Sequence, residues 1–226
     1  MRVLAIDTAL AQCAVAVVET EEVEPVAAEI LPLERGHAEA LLPMLERVAA
    51  EAGGFSGLDR VAVTVGPGSF TGVRIGVSAA RAVGLATGVP VVGVTTLSAL
   101  MAPVIAFPRS RLVVAAIDAR GGRVFAQAIA PNGRTIIQPG ILTIREIVRS
   151  LGSAGVLVLG PGAAGLASEA WSVGLDVRLH DGSPLPDIGW VARLGAASRP
   201  GEALPKPLYL APPDARPQDA ARLPRA

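Results

Sequence analysis

Short apolar runs alternate with amphipathic segments along the chain and predict an alternating series of strands and helices. Runs rich in Val, Ile and Ala are typical of buried strands, whereas leucines three and four apart are typical of a helix with one buried face. The first half predicts strands at 3–6, 14–18, 26–31, 61–65 and 89–94, and helices around 41–49, 71–85 and 97–105.

The same order of elements begins again after a polar break at residues 107–111. Leu-Ala-Ile-Asp at 4–7 is echoed by Ala-Ala-Ile-Asp at 115–118, and the Gly-Pro-Gly turn at 66–68 is echoed at 160–162. The second half predicts strands at 112–117, 123–130, 135–138, 156–159 and 177–179, and helices at 144–151, from 163 to Trp171 and at 188–197.

This repeat predicts an α/β fold of two duplicated lobes, residues 1–108 and 109–226, the second with a proline-rich tail. Three consecutive strands can pair as an antiparallel meander, and the strands that follow the helices then join by crossovers. The result is a mixed sheet with helices on its faces. Two such lobes facing each other is the layout of actin-like ATPase and ribonuclease H-like folds, which is an analogy of fold only.

The composition of the chain argues against several classes of protein and of site. The 226 residues are 51% hydrophobic and carry no net charge, so a stand-alone nucleic-acid binder is disfavoured. One cysteine, Cys13, excludes an internal disulfide, and two histidines make a histidine-pair metal site improbable. The apolar run at the N-terminus is too short for a secretory signal and no run approaches a membrane span, so we expect a cytoplasmic protein with no membrane contact.

A glycine-rich turn at residues 66–76 joins a predicted strand to a predicted helix. Ser69 or Thr71 can cap that helix, and free N–H groups at a helix start favour an anion such as phosphate. The alternative is a tight junction without a ligand, since no Walker lysine follows. The candidate phosphate or nucleotide contacts are Asp7, Thr8, Gly66, Gly68, Ser69, Thr71 and Arg74.

Two aspartates, Asp7 and Asp118, each end a predicted strand at the cleft between the lobes. In actin-like ATPases a turn of this kind lies near phosphate and metal. The alternative is a strand-terminal turn in which the carboxylate binds its own backbone. His37, which lacks metal-ligand partners at a suitable spacing, is interpreted as a capping or packing histidine.

Small residues recur at helical spacing after the glycine turn and permit close approach, either to the chain's own sheet or to a partner helix. Together with leucines of the first helix they form a candidate partner interface: Leu41, Leu42, Leu45, Gly72, Gly76, Ala79 and Ala80. Arg74 and Arg81 are seven residues apart on the same helix and are predicted to share a face that meets a phosphate, an acidic partner or solvent.

Several of these segments together resemble the bacterial tRNA threonylcarbamoyladenosine biosynthesis family TsaB, of the YeaZ type, which is related to actin-like ATPases and glycoproteases. They are residues 3–9, His37 with 41–44, the run Gly-Pro-Gly-Ser-Phe-Thr-Gly-Val-Arg-Ile-Gly at 66–76, 93–97, 117–120, and 207–210 with 213–215. The resemblance is close over residues 1–120. It departs from the family at Arg123 and Phe125, where Glu and Tyr are more usual, and at Ala211, where Arg is common.

The resemblance implies a non-catalytic accessory subunit with no catalytic residues and no metal. Such a subunit binds and activates the catalytic paralogue TsaD, which transfers threonylcarbamoyl to the adenosine next to the anticodon (t6A) in tRNAs reading codons that start with A. The ATPase subunit TsaE joins the pair, tRNA is met only through the complex, and the first lobe carries the subunit contact. ATP or ADP at the complex interface and a homodimer in the absence of partners are further expectations.

The resemblance also bears on the rival hypotheses. The catalytic relative carries a His-x-x-x-His metal motif where this chain has Thr96-Leu97-Ser98-Ala99-Leu100, and neither end of that segment can bind a metal. A metallopeptidase is therefore disfavoured. An actin-like ATPase or kinase using Asp7 and Asp118 is the alternative.

Overall fold

The repeated pattern folds into two mixed sheets of five strands each. A computed structural model describes residues 1–119 and 121–210. The first half contains, in chain order, β1 (Arg2–Asp7), β2 (Gln12–Glu19), β3 (Ala27–Pro32), α1 (His37–Glu51), β4 (Arg60–Thr64), α2 (Phe70–Thr87), β5 (Val91–Val94) and α3 (Thr96–Ile105).

The second half repeats this series element for element. It contains β6 (Leu112–Ala119), β7 (Arg123–Ile129), β8 (Thr135–Thr143), α4 (Ile144–Ser150), β9 (Val156–Leu159), α5 (Ala163–Ser172), β10 (Val177–Leu179) and α6 (Ile188–Ala197). Thr143 and Glu146 form the capping box that opens α4. Residues 211–226, which include Ala211 and the segment 213–215, lie outside the described residues, as does Arg120.

Strand order confirms the duplicated α/β prediction. The sheets run β3-β2-β1-β4-β5 and, in the equivalent direction, β8-β7-β6-β9-β10. In each sheet the first three strands are antiparallel neighbours and the last two join in parallel through crossover helices. Both aspartates named above therefore fall at or near the carboxyl end of a central strand, Asp7 in β1 and Asp118 in β6.

Both faces of the first sheet are buried, and alternate residues of β1 serve different cores. Leu4 and Ile6 pack with residues of α1 and α2, whereas Val3 and Ala5 pack on the opposite side. This explains why the central strands are continuous apolar runs without polar alternation. Two helices of the first half cover only one of these faces, so the other needs a helix from elsewhere.

The last helix of each half covers the sheet of the other half. Helix α6 places Ile188, Val191 and Ala192 against the open face of the first sheet. Helix α3 places Leu97 and Met101 against β6 of the second sheet. We refer to this arrangement as the helix exchange.

The helix exchange bears on how the two predicted lobes are built. The boundary predicted after residue 108 falls between α3 and β6, and α6, although it lies within the predicted lobe 109–226, packs on the first sheet. The chain after α6 stays on that side, since the amide of Leu208 donates to the carbonyl of Val65. Local hydrophobic patterns do not show which of two equally apolar sheet faces a helix covers.

Arg60 fastens the end of α6 to the first sheet. Its side chain is buried on β4, and Nη1 donates to the carbonyl oxygens of Gly195, Ala196 and Ser198 at 2.6 to 2.8 Å. Gly195 and Ala196 lie in the last turn of the helix and Ser198 follows it. The last carbonyls of a helix lack intrahelical donors, although that of Gly195 also accepts from the amide of Ser198. Arg60 thus acts as a C-cap supplied from a distant strand.

Arg60→Met should lower the free energy of unfolding by about 2 kcal/mol, because it leaves buried carbonyl oxygens without a donor. The matched control is Arg47→Met, which removes an exposed ion pair with Glu29 and should cost no more than about 0.5 kcal/mol. Urea unfolding measures both. Equal losses in the two variants would contradict the capping role of Arg60.

Within residues 1–119 and 121–210, none of the helices is both long enough and apolar enough to span a membrane.

Candidate functional site

Asp7 lies at the end of β1 and is fully buried. Its Oδ1 accepts hydrogen bonds from the amide of Ala9 at 3.0 Å and the hydroxyl of Thr64 at 2.6 Å, and its Oδ2 accepts one from Nε2 of Gln12 at 2.7 Å. Burial raises the pKa of the carboxyl, and the three donors oppose that rise. Both oxygens of this carboxylate thus accept hydrogen bonds from within the protein.

Gln12 extends this network to the other end of the chain. The same Nε2 that reaches Asp7 also donates to the carbonyl of Pro186 at 2.8 Å, immediately before α6. One buried amide group therefore links the first hairpin to the helix that closes the opposite face of the sheet. Gln12 and Thr64 were missed by sequence reasoning, although Thr64 is the one uncharged polar residue in its strand.

His37 has the structural role predicted for it. It is the first residue of α1 and is buried, and its Nε2 lies 3.2 Å from the carbonyl of Leu10 and 3.1 Å from that of Gln12. Both neighbours can only accept, so Nε2 must carry the proton. The histidine therefore links the start of α1 to the β1–β2 turn by hydrogen bonding.

The glycine turn packs directly against that β1–β2 turn. A Cβ on Gly68 would overlap the carbonyl of Ala9, and one on Gly72 would overlap the carbonyl of Thr8. The amide of Ser69 donates to Ala9 at 2.8 Å. These glycines are needed because the start of α2 touches backbone, which leaves no room for a phosphate between the two turns.

The predicted phosphate contacts therefore separate into two groups. Asp7, Thr8 and Gly66, which were predicted to contact a phosphate, are buried in protein contacts. Gly68 is half-buried, and Ser69, Thr71 and Arg74 are exposed. Ser69 caps α2 as predicted, since its hydroxyl accepts from the amide of Gly72.

Most of the residues predicted to form the partner interface are buried within the first lobe. Of these seven residues, Leu41, Leu45, Gly72, Gly76, Ala79 and Ala80 are buried in the first lobe and only Leu42 is exposed. The small face of α2 serves the chain's own sheet, because a Cβ on Gly76 would overlap the hydroxyl of Thr8. The outward face of α2 instead presents Ser78, Ala82, Leu85 and Ala86.

Asp118 differs from its counterpart in the first lobe. It is exposed, and the strand residue that corresponds to Thr64 in the repeat is Val158, which has no hydroxyl to offer. Gly162 lies beside it, since a Cβ there would be 3.2 Å from both the amide and Oδ1 of Asp118. The two halves therefore share the turn geometry, but only in the first half does a buried network of hydrogen bonds hold the aspartate at the strand end.

The region between the lobes is filled by leucines. Leu10 of the β1–β2 turn and Leu210 of the tail both pack against the core formed by α3 and the second sheet. Thr96 and Leu100, at the place of the relative's histidine pair, are buried at the start of α3. Within the described ranges, no set of three His, Cys, Asp or Glu could hold a metal ion.

Comparison with known proteins identifies the family. The model of the family TsaD, tRNA N6-adenosine threonylcarbamoyltransferase, matches residues 29–156, which is more than half of the chain. The chain belongs to the TsaD family. TsaB of Escherichia coli, the tRNA threonylcarbamoyladenosine biosynthesis protein, is 38% identical over 126 residues, which cover 55% of this chain and 53% of that protein. The match thus spans about half the length of this curated relative.

Solved structures extend the likeness to most of the chain. A crystal structure from Pseudomonas aeruginosa, described as an uncharacterized protein with similarity to peptidase YeaZ, matches with a TM-score of 0.76 and 27% identity. The match covers 93% of this chain and 99% of that one. Within the TsaD family the chain is therefore of the TsaB/YeaZ type, as the sequence motifs indicate.

A more distant structure supports the fold class alone. The activator of 2-hydroxyisocaproyl-CoA dehydratase from Clostridium difficile, with bound ADPNP, matches with a TM-score of 0.51 at 12% identity, covering 86% of this chain and 94% of that one. The actin-like ATPase fold expected from the repeat is confirmed.

Gly72→Ala should lower the free energy of unfolding by about 3 kcal/mol, because the new methyl group overlaps a backbone carbonyl that cannot move away. The matched control is Gly165→Ala in α5, where the nearest atom would be 3.6 Å away and the change should raise stability by about 0.5 kcal/mol. Thermal and urea unfolding check both signs. A neutral Gly72→Ala would show that α2 does not rest on Thr8.

Asp7 should make stability depend on pH. The pKa of the folded carboxyl lies above its ordinary value of 3.8, so folding favours the neutral acid. That contribution is complete below the ordinary value and is lost as the pH rises through the folded pKa. Asn does not titrate. The difference in unfolding free energy between the unchanged protein and Asp7→Asn should therefore shrink as the pH rises from about 4.

Urea unfolding of both proteins from about pH 4 to about pH 8 measures this difference. Asp118→Asn, the same change at the exposed strand end of the second half, is the control for the substitution itself. A stability difference between the unchanged protein and Asp7→Asn that grows with pH would mean that Asp7 is favoured as an anion.

Proposed function

We propose that this chain is a non-catalytic accessory subunit in the synthesis of threonylcarbamoyladenosine in tRNA. Its role is to bind and activate a catalytic relative of the TsaD type, in a complex that also contains an ATPase subunit of the TsaE type. The name of the E. coli relative and the match to the TsaD family model support this pathway. tRNA would meet the chain only within the complex.

The observation that carries the non-catalytic role is the packed state of the β1–β2 turn. The carboxylate at the end of β1 has its hydrogen bonds satisfied inside the protein, and the glycine turn rests against backbone with no intervening space. A catalytic or nucleotide-binding version of this turn needs open ligand positions there. The actin-like ATPase alternative is disfavoured for the same reason, because it depends on Asp7.

The outward faces of α1 and α2 are the proposed docking surface for the catalytic relative. These two helices pack against each other and cover the same face of the first sheet. Leu42 on α1 is 65% exposed and Leu85 on α2 is 88% exposed. Ser78, Ala82 and Ala86 are exposed on α2 and have side chains small enough for a partner helix to approach closely.

Reconstitution tests the proposal. The chain alone should transfer no threonylcarbamoyl to tRNA, and the catalytic relative with the ATPase subunit should be much less active without this chain than with it. The measurement is radiolabelled threonine retained in tRNA. Transfer by this chain without the catalytic relative, or full activity of the other subunits without this chain, would overturn the proposal.

Ala82→Arg should block the complex without unfolding the chain, because a long charged side chain on the outward face of α2 prevents close helix approach. Binding to the catalytic relative should weaken by more than about 10-fold, as measured by calorimetry. The matched control is Ala164→Arg, at an exposed position of α5 in the second lobe, which should bind normally. Equal binding by both variants would exclude this face of α2.

A further inference from the structure

Arg74 is the one exposed charged residue on α2. The helix contains no acidic residue, and its other basic residue, Arg81, is half-buried. The other residues of the outward face, Ser78, Ala82, Leu85 and Ala86, are uncharged. If this face is covered by a partner, the guanidinium of Arg74 loses its water as well, and a desolvated charge must be paired.

The guanidinium is held in one place by two aromatic side chains. Its Cζ lies 3.8 Å from the centre of the Phe70 ring, and its Nε donates to the hydroxyl of Tyr209 at 2.8 Å. The two rings stack with their centres 5.4 Å apart. Phe70 is 53% exposed and Tyr209 is 49% exposed, so the cluster lies at the surface of a chain with only 3% aromatic residues.

The segment after α6 positions Tyr209 for this contact. We call residues 205–210 the strap. Arg81 donates from Nε and Nη2 to the carbonyl of Pro205, and the amide of Leu208 donates to Val65 at 2.7 Å. The two arginines that share a face of α2 thus both hold the strap.

Stacking leaves the fork of Arg74 available for recognition. Among the described residues only its Nε has a hydrogen-bond acceptor. The two terminal nitrogens of the guanidinium have the spacing of a carboxylate's two oxygens. A rigid arginine flanked by aromatic rings is the kind of residue that dominates protein interfaces.

We infer that Arg74, held by Phe70 and by Tyr209 of the strap, is the anchor that recognises a carboxylate side chain of the catalytic relative. The inference rests on the proposed function and specifies the chemistry of its docking surface. A partner helix that covers the uncharged face of α2 must bring an Asp or Glu to Arg74. The C-terminal strap is therefore part of the subunit contact, although it is distant in sequence from α2.

Affinity measurements with single variants are the first test. Arg74→Gln should weaken binding to the catalytic relative by about 30-fold, because the partner carboxylate loses its counter-charge. Tyr209→Phe keeps the ring, removes the tether to Nε, and should weaken binding by a smaller factor. Arg145→Gln, which removes an exposed arginine paired with Glu169 on the second lobe, is the matched control and should bind as the unchanged chain does.

Salt dependence separates an ion pair from lost packing. The affinity of the unchanged chain should fall with added salt more steeply than that of Arg74→Gln. Thermal unfolding of each variant alone shows whether the fold is retained. Binding of Arg74→Gln with unchanged affinity, or an unchanged salt slope, would overturn the inference.

Cross-linking can identify the carboxylate directly. Lys206 is the only lysine of the chain, so the double variant Arg74→Lys with Lys206→Arg carries a single lysine, at position 74. A carbodiimide should then join that amine to an Asp or Glu of the relative, as located by mass spectrometry. Lys206→Arg alone is the control and should give no cross-link at residue 74.

The experiments distinguish failure of the proposed function from failure of the proposed role of Arg74. If the unchanged chain neither binds nor activates the relative, the proposed function fails and the anchor with it. If the complex forms and is active but Arg74→Gln binds normally and no cross-link appears at position 74, only the anchor is wrong. Competition of binding by free ATP or inorganic phosphate, lost in Arg74→Gln, would assign the guanidinium to an anion and also overturn the inference.

Discussion

The buried carboxylate of Asp7 is the interaction on which the first lobe depends. It collects donors from the β1–β2 turn, β2 and β4, and through Gln12 it also fixes the residues that lead into α6. A buried acid with an unfilled acceptor would be costly, so each of these donors must be in place for the lobe to close. The turn that follows Asp7 is then rigid enough for the glycines of α2 to rest on it.

Duplication followed by divergence is visible in the two strand-end turns. Both halves have a glycine turn against the end of their first strand, and Gly66 and Gly160 both adopt positive φ. Only the first half acquired a threonine and a glutamine to close the network, whereas Asp118 stayed at the surface. Hydrogen-bonding residues, and not backbone geometry, account for the difference. The first lobe thus has a rigid hydrogen-bonded turn beneath α2, whereas the second has an exposed carboxylate at the equivalent place.

Sequence reasoning predicted the elements and their repetition because periodicity is a local property. Strand and helix positions, the capping Ser69 and the packing role of His37 followed from residues within a few positions of one another. It could not predict that α6 covers the first sheet, since the apolar faces of Val3 and Val113 are chemically alike. It likewise took the small face of α2 for a partner surface, because spacing does not distinguish contact with Thr8 from contact with another helix.

The helix exchange also determines when the protein can fold during its synthesis. One face of the first sheet stays bare until residues 188–197 have been made, and those residues come near the end of the chain. The first lobe therefore cannot be completed on the ribosome ahead of the second, as an independent N-terminal domain can. Its contacts join residues far apart in sequence, which is a topology that folds slowly. The nascent chain thus exposes an uncovered apolar sheet face until α6 has been synthesised.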